Sequence, residues 1–244
     1  MTTPTTLETT VNEISAGIYR ISTAVPPGAI PGGFTFNQFL VVDDEPLLFH
    51  TGMRSLFPAV RAAVARVIDP TSLRWVGFSH IEADEAGALN DWLAIAPRAQ
   101  AVCSQVAAMT SSDMADRPPR ALADGEELVL GSGGKRMRWL DAPHLPHNWE
   151  CGYMFESSTR TLLAGDLFTQ PGADLPALTE SDVLGPSEAM RLAMPASVAI
   201  DVHARAILNK LAATEPRTLA LMHGSSYRGD GGRLLRALGD ALGV

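Results

Sequence analysis

The segment WVGFSHIEADEAGALND, residues 75–91, decides how the rest of the chain is interpreted. It begins with an apolar run over residues 75–78 that predicts a short buried strand. Four potential metal ligands follow within six positions: His80, Glu82, Asp84 and Glu85. So many acids beside one imidazole are unfavourable unless a positive charge lies near them. The segment therefore indicates either a metal site or a solvated turn at the start of a helix, where acidic residues are favoured.

Length and composition limit the class of protein. A chain of 244 residues with 46% apolar and 19% charged residues is typical of a globular protein, and we expect one domain over residues 1–244 with residues 1–10 as a loose tail. The net charge of -8 argues against a nucleic-acid or anionic-membrane partner. No apolar run approaches the ~18 residues that span a bilayer, and the N-terminus lacks a signal-peptide pattern.

The two cysteines, Cys103 and Cys151, are too few for a disulfide framework. Each is expected to be a small core residue rather than a metal ligand. Their number fits a reducing compartment, and we expect a cytoplasmic protein.

The order of apolar segments predicts an α/β fold. Before residue 126 we expect strands over 13–22, 36–42, 47–50, 75–78 and 100–103, with helices over 55–68 and after residue 86. After it we expect strands over 127–130, 136–140, 152–156, 161–164 and 218–222, with helices over 186–211, broken at Pro195, and 233–242. The pattern predicts two sheets packed face to face with helices outside.

Further metal-ligand candidates lie where other predicted strands end. They are His144 and His147 after strand 136–140, Asp166 after strand 161–164, and His223 after strand 218–222. A single histidine or aspartate at such a position is more often a hydrogen-bonding residue. Several together indicate a common site, because strand ends of one sheet meet at one edge. The residues alone do not separate His144 from His147.

This order of donors resembles the metallo-β-lactamase superfamily. The shared pattern is H-x-E-x-D, a distant histidine, an aspartate nineteen positions later and a C-terminal His-Gly. Glu82 stands where the zinc hydrolases of the superfamily usually have histidine, so the chain is similar to the di-iron branch, the flavodiiron proteins and the oxygen-binding di-iron proteins without flavodoxin. Residues 37–41 also resemble an early strand of that branch. The resemblance implies an αββα sandwich of two mixed sheets with helices on the outer faces.

The same resemblance implies roles for individual residues. A first iron would be held by His80, Glu82 and His147, and a second by Asp84 and His223, with Asp166 bridging the two. The spacing to Asp166 favours His147 over His144. Glu85 stands where the family often has histidine, so either it is an unusual ligand of the second iron or that iron keeps an open position.

The donor set is rich in oxygen, which suits iron or manganese better than zinc. We therefore expect two iron ions, with manganese or zinc as alternatives, that bind O2 or NO and can reduce O2. An oxygen sensor or carrier is one such protein. No flavodoxin-like segment and so no built-in flavin is expected, which makes a separate electron donor necessary for reduction. A homodimer is a further expectation.

Two other functions stay open at this point. One is a dinuclear metallohydrolase of the same fold acting on an ester, thioester or lactam through a metal-bound hydroxide. The other is a non-enzymatic relative that has lost one metal.

Residues 24–35 are rich in proline and glycine and are expected to form a long irregular loop at the position of the flap over metallo-β-lactamase sites. Four apolar side chains are expected to exclude water from the site, unless the loop is an ordinary surface loop: Val25, Ile30, Phe34 and Trp149. His50 is expected to be a structural hydrogen-bonding residue, and His203 a surface residue.

Overall fold

The first of two mixed sheets is formed by the N-terminal half of the protein, whose computed structural model describes residues 7–30 and 32–244. Its strands lie in chain order and are β1 (Thr9–Ser15), β2 (Ile18–Val25), β3 (Phe34–Val41), β4 (Leu47–Phe49), β5 (Trp75–Gly77), β6 (Gln100–Ser104) and β7 (Arg120–Leu122). Neighbours from β1 to β4 are antiparallel, and those from β4 to β7 are parallel.

The second sheet has the order β12-β14-β13-β11-β10-β9-β8. Its strands are β8 (Glu127–Val129), β9 (Arg136–Asp141), β10 (Gly152–Glu156), β11 (Thr161–Leu163), β12 (Leu178–Thr179), β13 (Thr218–Ala220) and β14 (Ser226–Arg228). The pair β11 and β13 is parallel and lies in the middle of the sheet, where β11 also pairs with β10 in antiparallel orientation.

Helices cover the outer faces of both sheets. They are α1 (Phe57–Val64), α2 (Ala83–Ala86), α3 (Leu89–Ile95), α4 (Gln105–Ser111), α5 (Leu184–Ala193), α6 (Ala204–Ala212) and α7 (Gly231–Leu242). Buried residues of α1, α3 and α4 join one apolar cluster with the first sheet, and those of α6 and α7 join another with the second sheet. None of the helices in these residues combines the length and the apolarity needed to cross a membrane.

A third apolar cluster fills the space between the sheets. Phe39, Phe49 and Trp75 contribute to it from the first sheet, and Trp139 and Met154 from the second. Alternate side chains of each strand thus face either this inner core or an outer helix, which explains why so many strands are buried along their whole length. The predicted α/β sandwich of two mixed sheets with outer helices is confirmed.

The last helix shows how the sequence sets its limits. Asp230 precedes α7, and its carboxylate accepts a hydrogen bond from the backbone N–H of Arg233 at 2.8 Å. The helix ends at Gly243, whose φ of 74° lies in the left-handed region that favours glycine. Its apolar side packs against α6 and the second sheet.

The N-terminal predictions need two corrections. β1 begins at Thr9, inside the predicted loose tail, because its backbone pairs with β2 from Thr9↔Thr23 onward; residues 1–6 of that tail lie outside the described residues. The single strand predicted over 13–22 is two strands, since the chain reverses at Gly17 with a φ of 69°.

The break predicted at Pro195 is confirmed, since the helical region predicted over 186–211 is divided there into α5 and α6. Other boundaries differ. The loop predicted over 24–35 is shorter, because β2 continues to Val25 and β3 begins at Phe34. Strands β7, β12 and β14 were not predicted, because they lack the apolar run that marks other short strands such as β5 and β11.

Candidate metal centre

Three of the predicted donors follow the ends of strands at equivalent positions. β5 ends at Gly77 and His80 follows, β11 ends at Leu163 and Asp166 follows, and β13 ends at Ala220 and His223 follows, three positions later in each case. Since β11 and β13 are parallel neighbours with Leu163 opposite Ala220, Asp166 and His223 leave the sheet side by side. The topology therefore brings residues that are distant in sequence to one edge.

The first group of donors comprises His80, Glu82, His147 and Asp166, whose ligand atoms lie within 4.8 Å of one another. Nε2 of His147 lies 3.2 Å from Oε1 of Glu82. Nε2 of His80 and Nε2 of His147 each lie 3.5 Å from Oδ2 of Asp166. Four side chains from three segments of the chain thus face one point.

The second group comprises Asp84, Glu85 and His223, again within 4.8 Å. Nε2 of His223 lies 3.5 Å from Oδ2 of Asp84 and 3.4 Å from Oδ1 of Asp166. Asp166 therefore turns one carboxylate oxygen toward each group, which is the arrangement that the predicted bridging role requires.

Glu85 is the least expected member of the centre. Its side chain is fully buried on α2, and neither carboxylate oxygen has a hydrogen-bond partner among the described residues. Oε2 lies 3.9 Å from Nε2 of His80. Burial, followed by the charges of Asp166 and Asp84, raises the pKa of Glu85 well above its usual range. A buried carboxylate without a partner is costly unless a cation neutralises it.

Two of the histidines have a defined tautomer. Nδ1 of His147 lies 2.9 Å from the backbone oxygen of Ser197, and Nδ1 of His223 lies 2.8 Å from that of Thr35. A carbonyl oxygen only accepts, so each Nδ1 carries the proton and donates it. Because Nδ1 is taken up by these hydrogen bonds, Nε2 is the ring atom that faces the carboxylates and the one that would bind a metal.

The charges within the centre are strongly coupled. Burial disfavours the charged form of Asp166, but the hydrogen bond and charge of His223, with the charges of His80 and His147, outweigh burial and lower the pKa of Asp166. Burial likewise opposes charge on His223, yet Asp166 outweighs it and raises the pKa of His223. Burial lowers the pKa of His80. The negative charge of Asp166 and the positive charge of His223 thus stabilise each other in place of water.

Two loops of the centre are held together by backbone contacts. The N–H of Gly152 donates to the carbonyl of Ser79 at 2.9 Å, and the N–H of Ile81 donates to Oε1 of Glu150 at 3.0 Å. Gly165 allows a third segment to approach, because a Cβ there would lie 2.9 Å from the ring of Tyr153 and 3.1 Å from Oγ of Ser79. These contacts fix the loop that carries His80 against the one that follows His147.

A cavity of about 190 Å³ opens beside the donors. Glu82, His147, Asp166 and His223 form one wall of it. The other walls are mostly apolar and come from the loops and from α5 and α7: Leu145, Leu167, Phe168, Met190, Met194, Val198, Leu238 and Leu242. Phe34 also lines the cavity and stacks on the ring of His223, with 4.3 Å between ring centroids.

Some residues lie where the sequence predicts, and others do not. His144 is exposed on the surface, whereas His147 lies in the first group. His50 is buried and hydrogen-bonded at the end of β4, and His203 is exposed before α6. Of the four apolar residues predicted to exclude water, only Phe34 lines the cavity.

The other three apolar residues lie elsewhere for physical reasons. Trp149 is 55% exposed, because its loop turns it away from the site. Val25 and Ile30 pack against the outer core of the first sheet. The apolar walls from Phe168, Met190 and Met194 were not predicted. Phe168 lies in the loop after β11, and the sequence does not show which face of α5 turns toward the centre.

Two curated relatives of the chain are named as oxidoreductases that act on oxygen or nitric oxide. The chain is 27% identical over 150 residues to the rubredoxin-oxygen oxidoreductase of Megalodesulfovibrio gigas, covering 57% of this chain and 35% of that protein. It is 26% identical over 141 residues to the nitric oxide reductase of Moorella thermoacetica, with the same two coverages. The chain spans between 24% and 35% of the length of such curated relatives.

The fold has a counterpart among solved structures. The metal-soaked Flv1 flavodiiron core of Synechocystis sp. PCC6803 superposes with a TM-score of 0.84 at 21% identity, covering 98% of this chain and 62% of that one. Residues 34–224 match the family model described as ODP family beta lactamase. Because this match covers well over half of the chain, the protein belongs to the ODP family of the beta-lactamase fold.

Proposed function

We propose that the protein is a non-haem di-iron protein that binds O2 or NO. The first iron would be held by His80, Glu82 and His147, the second by Asp84, Glu85 and His223, and Asp166 would bridge them. The observation that carries the proposal is the convergence of seven donors from four segments, with Glu85 fully buried and unpaired among the described residues.

The charge of the donor set fits two cations. Four carboxylates carry four negative charges when ionised, and the three imidazoles are neutral when their Nε2 atoms are free. Two divalent ions would neutralise this set, which otherwise places several like charges inside the fold. Carboxylate and imidazole donors without a thiolate suit iron or manganese, while zinc favours nitrogen and sulfur in a tetrahedral site.

Bound iron would supply one-electron chemistry, which zinc lacks, together with open positions for a small ligand. The chain itself keeps the ligands in place: His147 and His223 are fixed through their Nδ1–H groups by Ser197 and Thr35. The names of the relatives, an oxygen oxidoreductase and a nitric oxide reductase, support O2 and NO as ligands. Reduction of either ligand would draw electrons from a separate donor.

The surroundings of the centre suit a small apolar ligand. Phe34 covers His223, and the apolar side chains of Leu145, Phe168 and Met190 line the approach to it. Such walls reduce the contact of His223 and Asp166 with water, so electrostatic interactions at these two residues are stronger than they would be in water.

One observation favours a second candidate, a dinuclear metallohydrolase. The cavity of about 190 Å³ holds more than a diatomic molecule. Its apolar walls would accept the organic part of an ester or thioester beside the metal ions. The carboxylate at Glu82, where the hydrolases usually have histidine, weighs against this candidate.

Anaerobic loading of the purified chain with ferrous iron, followed by addition of O2 or NO, separates the two candidates. We expect a visible absorption band on addition of either gas, which Asp166→Ala lacks and His144→Ala retains. An iron-loaded chain that stays colourless would overturn the proposal. Hydrolysis of a generic thioester by the zinc-loaded chain would then favour the second candidate.

A further inference from the structure

A row of buried polar side chains connects the centre to the interior of the first sheet. Nδ1 of His80 lies 2.9 Å from Oγ of Ser79. The same Oγ lies 3.0 Å from Nε2 of His50, and Nδ1 of His50 lies 3.0 Å from Sδ of Met222. All four residues are buried to within 1% exposure. We propose that Met222, His50 and Ser79 form a relay that holds His80 with its Nε2 lone pair toward the metal.

The direction of the relay follows from the chemistry of its far end. A thioether sulfur can only accept a hydrogen bond, so Nδ1 of His50 carries its proton. Among the described residues, the side-chain partners of His50 are Met222 and Ser79, and neither is charged. A fully buried imidazole without an anionic partner is neutral, so Nε2 of His50 has a free lone pair.

The hydrogen bonds of Ser79 and His80 then have a single direction. The O–H of Ser79 donates a hydrogen bond to Nε2 of His50. The oxygen of Ser79 accepts a hydrogen bond from Nδ1–H of His80. With Nδ1 protonated, neutral His80 keeps the lone pair of Nε2 free, and this atom faces Asp166 at 3.5 Å. Met222 thus sets the tautomer of a metal ligand that it does not touch.

The backbone supports this role for His50. It follows the last residue of β4 with a φ of 66°, a left-handed conformation that is uncommon for a residue with a side chain. Its N–H donates to the carbonyl of Gly77 at 2.8 Å, which ties it to β5, the strand that leads to His80. His50 and Ser79 are accordingly positioning residues, since they act on the metal through His80.

The relay rests on the proposed metal centre, and its test separates the two. In the metal-free full-length chain, the tautomer of His50 is read by ¹⁵N–¹H correlation of its ring nitrogens. We expect the proton on Nδ1. A proton on Nε2 would overturn the relay whether or not the chain binds metal.

The second measurement is the affinity for ferrous iron, titrated anaerobically against a competing chelator. Met222→Leu conserves the side-chain volume but removes the hydrogen-bond acceptor of Nδ1 of His50. His50 can then adopt the tautomer with its proton on Nε2 and donate to Ser79. The hydroxyl of Ser79 would in turn donate to Nδ1 of His80, which leaves the proton of His80 on Nε2. We expect Met222→Leu and Ser79→Ala to bind the first iron about 10- to 100-fold more weakly than wild type. This is the usual loss when a residue that is hydrogen-bonded to a metal ligand is replaced. The matched control is Met154→Leu, since Met154 is as fully buried as Met222 but lies in the core between the sheets.

Wild-type affinity in Met222→Leu, or an equal loss in Met154→Leu, would overturn the relay. A wild-type chain that binds no iron would instead overturn the proposed function, and the His50 tautomer would still decide the relay.

Discussion

Nε2 of His80 and Nε2 of His147 lie 3.0 Å apart, although the two residues are 67 positions apart in sequence. Nδ1–H of His147 donates to the carbonyl of Ser197, so in a neutral ring Nε2 carries a lone pair. Two lone pairs at this distance repel unless a proton or a metal ion lies between them. The two Nε2 atoms therefore form a site for a positive charge, which the nearby carboxylates of Glu82 and Asp166 would also stabilise.

The first prediction concerns metal affinity and pH. Metal binding must ionise Glu85, whose pKa is raised in the metal-free chain by burial and then by Asp166 and Asp84. Affinity for ferrous iron is therefore expected to rise with pH, with release of protons on binding. Calorimetry in buffers of different ionisation enthalpy measures the released protons. An affinity independent of pH between 6 and 8 would contradict this prediction.

The second prediction concerns Glu85 in the metal-free chain. Because its folded pKa is raised, the folded state keeps a proton that the unfolded state loses, and stability falls as pH rises above the ordinary glutamate pKa of about 4.3. Glu85→Gln cannot ionise and removes this part of the slope. At pH 7 the variant is expected to be more stable than wild type, because it removes the cost of ionising a buried carboxyl group.

Urea unfolding with a chelator present, at pH 5 and pH 8, checks this expectation. The raised pKa of His223 also makes the free energy of unfolding fall as pH rises. Because His223 is present in both wild type and Glu85→Gln, the difference between their slopes against pH reports on Glu85. Equal slopes for wild type and Glu85→Gln would show that Glu85 is ionised without a metal.

The third prediction concerns Asp166. Asp166→Ala is expected to lower the metal content at both positions, because its two oxygens face both groups of donors. His144→Ala should retain the wild-type content, since His144 is exposed and lies outside both groups. Elemental analysis of the two variants measures this difference. Loss of only one ion in Asp166→Ala would contradict the bridging role, and loss of metal in His144→Ala would show that the wrong histidine was chosen.

The fourth prediction concerns Tyr153, which supports the loop before His147. Its buried hydroxyl donates to the carbonyl of Leu145 at 2.6 Å. Tyr153→Phe removes this hydrogen bond and is expected to lower the free energy of unfolding by ~0.5–1.5 kcal/mol. Tyr19→Phe, on β2, is the control and should cost less. Equal losses in denaturant titrations would show that the Leu145 contact has no stabilising effect.

The fifth prediction separates two aromatic residues near the site. Phe34 stacks on His223 and lines the cavity, whereas Trp149 is 55% exposed. Phe34→Ala is expected to change the rate at which O2 or NO reacts with the iron-loaded chain, measured by stopped-flow absorption. Trp149→Ala should leave that rate unchanged and alter stability by less than ~0.5 kcal/mol, as surface substitutions usually do. The reverse outcome would show that Trp149 closes the site.

Much of the fold could be predicted from the sequence, because long apolar segments mark elements that are buried on both faces. Residues 75–78, 152–156 and 161–164 are such segments, and the strands lie there. Strands β12 and β14 could not be predicted, because neither contains such an apolar segment and they pair with each other although they are distant in sequence. The turn at Gly17 was missed because residues 13–22 alternate as one strand would.

The donors at strand ends were accessible to sequence analysis, since acids and histidines after apolar runs are conspicuous. The supporting groups were not. The carbonyls of Ser197 and Thr35 are backbone atoms, which carry no signal in a sequence. Ser79 and Met222 are ordinary residues whose role depends on contacts across 29 and 172 positions with His50.

The metal content of the purified chain, after anaerobic loading with ferrous iron and removal of unbound metal, tests the central claim most directly. Two iron ions per chain are predicted, because the donors form two groups that share Asp166. One ion or none per chain, from a protein that is folded by circular dichroism, would contradict the account.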